Sequence, residues 1–97
     1  MDLKEYIRSI PDYPKKGILF RDITTLIKDS KAFSYSIDKI VEISEKLNFD
    51  KIAAIESRGF VFASAVSYKL KKPFIMLRKK NKLPAGKISV DFQLEYG

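Results

Sequence analysis

Lys51-Ile52-Ala53-Ala54-Ile55-Glu56-Ser57-Arg58-Gly59-Phe60 is the stretch on which the reading of this chain turns. Lys51 to Ile55 is an apolar run of the kind expected in a buried, parallel strand. Phe60 to Leu70 is rich in Phe, Val and Ala on most faces, which predicts a largely buried helix, and Pro73 to Leu77 is the next apolar strand. Strand, helix and strand within about 27 residues make a βαβ unit, for which a right-handed crossover is expected. The fold class is therefore α/β with a parallel-sheet core. The turn between the first strand and the helix sets an arginine, a hydroxyl and a glycine at a helix N-terminus. Orphan N–H groups and the helix dipole both favour negative charge there. Arg58 adds a planar donor fork suited to phosphate oxygens. The plainer reading of the same residues is a solvent-facing arginine on an ordinary βα turn.

Upstream, Leu3, Tyr6, Ile7 and Ile10 recur at helical spacing, so residues 2–9 are expected to form a short helix that Pro11 and Pro14 stop. Tyr13-Pro14-Lys15-Lys16-Gly17 reads as a turn, and Ile18-Leu19-Phe20 is a short apolar run. Asp29 or Ser30 is suited to cap a second helix carrying Ile37, Ile40, Val41, Ser44 and Leu47 on one stripe and ending near Asn48. Downstream, Lys79 to Lys87 is polar, holds Pro84 and Gly86, and is expected to be a flexible loop. Ile88, Val90, Phe92 and Leu94 then alternate with polar residues, the pattern of a half-buried strand in a hairpin. Phe33, Phe49, Phe60, Phe62 and Phe74 read as core. Two core strands and one crossover helix are few beside the about five or six strands of a usual sheet, so the chain reads as the first part of something longer. Its apolar sheet edge is expected to promote self-association.

With 97 residues, 45% of them hydrophobic, one small domain with a core is expected and wholesale disorder is not. The chain has no cysteine and no histidine. That excludes disulfides, thiolate nucleophiles and the commonest metal ligand and general base, leaving Asp, Glu, Lys and Tyr for proton transfer. Any metal should be a hard ion on oxygen ligands. The net charge of +7 suits a phosphate-rich partner. No apolar run is long enough to cross a bilayer, and Met1-Asp2-Leu3-Lys4-Glu5 is not a signal peptide. A soluble cytoplasmic protein is the default expectation.

Three blocks give the chain a family resemblance. Asp12-Tyr13-Pro14-Lys15-Lys16-Gly17-Ile18-Leu19-Phe20-Arg21-Asp22-Ile23-Thr24 is similar to the N-terminal base-binding segment of the adenine phosphoribosyltransferases, a type I phosphoribosyltransferase family. Glu56-Ser57-Arg58-Gly59-Phe60-Val61-Phe62 resembles their pyrophosphate loop and the helix after it. Arg78-Lys79-Lys80-Asn81-Lys82-Leu83-Pro84 and Leu94-Glu95-Tyr96-Gly97 resemble the two ends of their flexible catalytic loop. The resemblance implies a single, incomplete phosphoribosyltransferase domain over residues 1–97. A base-binding segment would occupy residues 1–28, and the βαβ core with the catalytic loop residues 50–97. Two departures from the family pattern are Ala63, where glycine is common, and Lys80-Asn81 in place of a loop glycine. The acidic segment with which the family grips the ribose and 5-phosphate is not among these residues, nor is the one that closes over the adenine. The 97 residues alone are therefore expected to show no turnover.

The implied activity is transfer of a 5-phosphoribosyl group from phosphoribosyl pyrophosphate to adenine, giving AMP and pyrophosphate, as in purine salvage. Leu19, Phe20 and Arg21 would line the adenine site, since an aromatic ring stacks on a purine face. Arg21-Asp22 is a candidate for a local ion pair. Ser57, Arg58 and Gly59 would hold the pyrophosphate of the substrate with Lys79 and Lys82, and Mg²⁺ would arrive bound to phosphoribosyl pyrophosphate rather than to protein side chains. Glu95 would handle a proton on adenine, and Tyr96 would donate a hydrogen bond to the departing group. The family's loop also suggests a cis peptide at Glu56-Ser57. A homodimer is the expected assembly, with no membrane or nucleic-acid partner. The alternative is a small basic nucleic-acid-binding module built on Lys69-Leu70-Lys71-Lys72 and Arg78-Lys79-Lys80-Asn81-Lys82, although no named nucleic-acid motif is present.

Overall fold

The computed structural model describes residues 1–79. The expected strand over 88–94, the loop beyond Lys79 and the site residues Lys82, Glu95 and Tyr96 lie outside the described residues. Packing divides the described chain into two compact units, Met1–Ser36 and residues 37–79.

The first unit opens with a 3-10 turn, Leu3–Tyr6, started by the Asp2 carboxylate accepting the Lys4 N–H at 3.1 Å. The helix expected over 2–9 stops here. Ile7 is extended (φ −115°, ψ 122°), and Arg8–Ile10 forms β1, antiparallel to β2, Phe20–Asp22. The register pairs Arg8 with Asp22, Ser9 with Arg21 and Ile10 with Phe20. An eight-residue helix is marginal by itself. The ladder and an ion pair between Arg8 and Asp22 reward the extended form instead.

The connection between these strands closes on itself. Asp12 and Gly17 both have positive φ, 55° and 88°. The Asp12 carboxylate accepts the Gly17 N–H at 2.8 Å, and the Tyr13 N–H donates to the Ile18 carbonyl at 3.1 Å. The Tyr13–Pro14 peptide is cis. After β2 come α1, Thr24–Ile27, and α2, Ser30–Ser44. Asp29 caps α2 by accepting the Ala32 N–H at 2.9 Å. The helix ends at Ser44 rather than near Asn48, because Lys46 and Leu47 donate to carbonyls three residues back and tighten the chain into turns. Leu26 and Ala32 are buried.

The second unit contains the βαβ motif. β3, Ile52–Ile55, lies parallel to β4, Phe74–Leu77, with Ile52 opposite Phe74 and Ile55 opposite Leu77. The crossover is α3, Arg58–Leu70, ended by Lys71 in the left-handed conformation. Its buried residues are Ala63 and Val66. Tyr68 is 82% exposed, and Ile55, Ile75, Met76 and Leu77 are close to half exposed. The expectation of a largely buried helix and fully buried strands is corrected accordingly. Among the described residues, two strands and one crossover helix supply too few layers to cover both faces of the sheet. The five phenylalanines read as core are half-buried rather than enclosed. Phe60 and Phe74 meet edge to face at 5.8 Å. Ile40, Phe49, Ile52, Phe62 and Val66 line an apolar groove of about 400 Å³.

Candidate functional site

The turn that follows β3 is built by strand pairing on one side and helix geometry on the other. The Glu56 N–H donates to the Leu77 carbonyl at 3.0 Å, carrying the β3–β4 ladder one residue past Ile55. The Glu56–Ser57 peptide is cis. Ser57 occupies the N-cap position of α3, yet its hydroxyl makes no capping bond, and no acidic residue lies in the first turn. The Phe60 N–H turns back to the Ser57 carbonyl at 3.1 Å. Ser57 and Arg58 are exposed. Gly59 is half-buried, and a Cβ there would stand 3.4 Å from the Cβ of Ala54 on β3. The α3–β3 contact thus has room for a methyl here but for little more. The arrangement offers anions the positive end of a helix dipole, a hydroxyl and a guanidinium together.

Lys79 is brought to this turn by a residue to which the sequence reading assigned no role. The Glu56 carboxylate accepts the backbone N–H of Lys79 through Oε1. Its Oε2 faces Arg78 Nε at 3.6 Å, and the Glu56 side chain is only 11% exposed. Glu56 thus fastens the exit of β4 to the exit of β3, at the carboxyl ends of two parallel strands, where open α/β sheets hold their ligands. A signal for this contact was present. Once Ile55 pairs with Leu77, the next residues on the two strands, an acid and an arginine, become neighbours.

The predicted base-binding residues lie on and just before β2 in the first unit. Leu19 is half exposed, Phe20 half-buried and Arg21 exposed. Phe20 meets Tyr13 edge to face at 5.2 Å, so it braces the closed 12–18 turn. The suggested Arg21–Asp22 pair is divided between two partners, because successive strand residues point to opposite faces. Arg21 donates to the Ser9 hydroxyl, and Asp22 takes Arg8. Asp22 Oδ1 accepts the Thr24 N–H at 3.0 Å and the Thr24 hydroxyl at 2.8 Å. Oδ2 accepts Arg8 Nε at 2.9 Å. These bonds, the Thr24 N–H first, then the Thr24 hydroxyl and Arg8, hold the Asp22 pKa down at about 2 against an ordinary 3.8.

Among the described residues, no group of three or more acidic side chains is placed to hold a metal ion, and no helix is long and apolar enough to cross a membrane.

No protein-family model matches the chain. Over all 97 residues it is 77% identical to an adenine phosphoribosyltransferase of Pelagibacter ubique (strain HTCC1062), covering 55% of that protein. It is 55% identical to one of Thermosipho africanus (strain TCF52B), covering 57% of it. The crystal structure of adenine phosphoribosyltransferase from Thermoanaerobacter pseudethanolicus matches 94% of this chain with a TM-score of 0.89 at 48% identity, over 54% of that chain. The Giardia lamblia enzyme complexed with 9-deazaadenine matches 86% with a TM-score of 0.80 at 34% identity, over 46% of its own length. The chain thus spans a little over half the length of the curated relatives it matches. The resemblance carried by the three sequence blocks holds across the whole chain, and its fold matches about half of these adenine phosphoribosyltransferase structures.

Proposed function

We propose that these residues carry the adenine side and the pyrophosphate side of an adenine phosphoribosyltransferase. The reaction moves a 5-phosphoribosyl group from phosphoribosyl pyrophosphate to adenine. The bond from the anomeric carbon to pyrophosphate breaks, a bond to a ring nitrogen of adenine forms, and adenine gives up one proton. The observation that carries the proposal is the Ser57–Arg58–Gly59 turn at the start of α3, with Lys79 fastened beside it through Glu56.

Charge builds on the leaving pyrophosphate as the glycosidic bond loosens. Fixed donors at that point lower the barrier without reorganising. Arg58 supplies a two-pronged donor, the Ser57 hydroxyl and the N–H groups of the turn add further contacts, and Lys79 and Lys82 add positive charge. Phe20 stacks on the purine, with Leu19 and Arg21 lining its edges. Glu95 takes the proton from adenine, and Tyr96 donates to the departing group. Mg²⁺ bound with phosphoribosyl pyrophosphate would supply further positive charge against the leaving group. Glu56 is already engaged by Arg78 and the Lys79 N–H, which accords with a metal held by substrate rather than by protein carboxylates. A cytoplasmic homodimer is the assembly proposed for the whole protein. The 97 residues alone are expected to bind but not to turn over.

Thermal melts of the chain with and without inorganic pyrophosphate, AMP and a single-stranded oligonucleotide test the reading. Pyrophosphate and AMP should each raise the midpoint, and Arg58→Ala should abolish the pyrophosphate shift alone. Salt-sensitive oligonucleotide binding with no response to either small ligand would favour the nucleic-acid-binding module instead.

A further inference from the structure

We infer that Glu56 is a positioning residue for the anion site, acting through Arg78 and the Lys79 backbone rather than on the ligand; the inference rests on the pyrophosphate reading of the Ser57–Gly59 turn. An acid at the mouth of an anion site is unfavourable on charge alone, since a carboxylate repels a polyanion. Yet Glu56 adjoins Ser57 and Arg58 in sequence, its side chain is 11% exposed, and both its oxygens face the end of β4. Oε1 accepts the Lys79 N–H, and Oε2 faces Arg78 Nε at 3.6 Å. A carboxylate so engaged is directed toward the neighbouring strand. It holds two cationic residues at the turn before any anion arrives, so that their ordering does not weaken binding. The Arg78 side chain keeps 33% exposure, and 3.6 Å is longer than a formed hydrogen bond. The guanidinium is therefore held near the turn by charge while its donors remain able to turn toward a ligand.

Two substitutions separate position from charge. Glu56→Gln keeps an acceptor for Lys79 and removes the charge; Glu56→Asp keeps the charge and shortens the reach by one methylene. If Glu56 acted only by its charge, Gln would tighten pyrophosphate binding and Asp would leave it unchanged. The positioning role predicts that both weaken it, by about tenfold, Gln by releasing the Arg78 guanidinium and Asp by losing reach to the Lys79 N–H. Calorimetric titration of the 97-residue chain with inorganic pyrophosphate reads this. The Lys79 amide, followed by hydrogen exchange in the variants that fold, should become less protected in Glu56→Asp. Tighter binding in Glu56→Gln, or wild-type affinity in Glu56→Asp, would overturn the inference while leaving the anion site standing. A wild-type chain that does not bind pyrophosphate would overturn the site itself, and this inference with it.

Discussion

Arg8 and Asp22 join across the β1–β2 ladder with one partner in solvent and the other enclosed: the Arg8 side chain is 62% exposed and that of Asp22 8%. Asp22 divides its two oxygens between the neighbouring strand and the first turn of α1. It thereby ties the strand carrying Phe20 and Arg21 to what precedes and follows it.

The pH dependence of stability follows from that contact. The folded pKa of Asp22 lies below the ordinary value, at about 2 against 3.8. The unfolded chain therefore takes up the proton first as pH falls. The stability Asp22 contributes is complete above 3.8 and is lost progressively as pH drops toward about 2. Asp22→Asn keeps an acceptor for Thr24 and gives up the ionic bond to Arg8. Melting midpoints across this window should show wild type above the variant at the upper end and the two converging at the lower.

Tyr13 and Phe20 share a ring contact at 5.2 Å but only Phe20 is proposed to meet adenine. Removing either ring should cost about 1 kcal/mol through the aromatic pair, besides the packing each ring provides. In melts with AMP, Tyr13→Ala should keep the ligand-induced stabilisation and Phe20→Ala should abolish it. Equal retention by both variants would place the base elsewhere.

Gly17 has open space around a would-be Cβ but a φ of +88°. Gly17→Ala should thus destabilise through backbone conformation alone, by about 1 kcal/mol. Urea unfolding would report a lower midpoint with an unchanged slope.

Gly59 presents the opposite case, because its constraint is space and not φ. An added Cβ would reach ordinary contact with Ala54 at 3.4 Å, so Gly59→Ala should change stability by less than about 1 kcal/mol. Gly59→Val pushes methyls into the α3–β3 contact and should cost about 1–3 kcal/mol. Pyrophosphate affinity in the alanine variant should stay near wild type, since the new methyl faces the strand.

The βαβ unit was legible because its signals are local and agree. Apolar runs at 51–55 and 73–77 became β3 and β4, and the helical stretch between them became α3, begun two residues earlier than expected. The Asp29 cap of α2 was legible for the same reason. Residues 3–10 misled because helical spacing and a short strand leave the same apolar pattern, and only a partner fourteen residues away in sequence, Asp22 for Arg8, decides between them. Arg21 and Asp22 looked like a pair because they are adjacent, and the pleat set them on opposite faces.

By itself the sequence determined the α/β class, the position of the anion-suited turn and the resemblance to the adenine phosphoribosyltransferases. Each of these is written in residues close together along the chain. Only the tertiary structure decided that Arg8–Ile10 is a strand, that Asp22 turns to Arg8 and Thr24, and that Glu56 reaches Arg78 and Lys79. Those are contacts between distant segments, and their free energy exists only once pairing has brought the partners within hydrogen-bond reach.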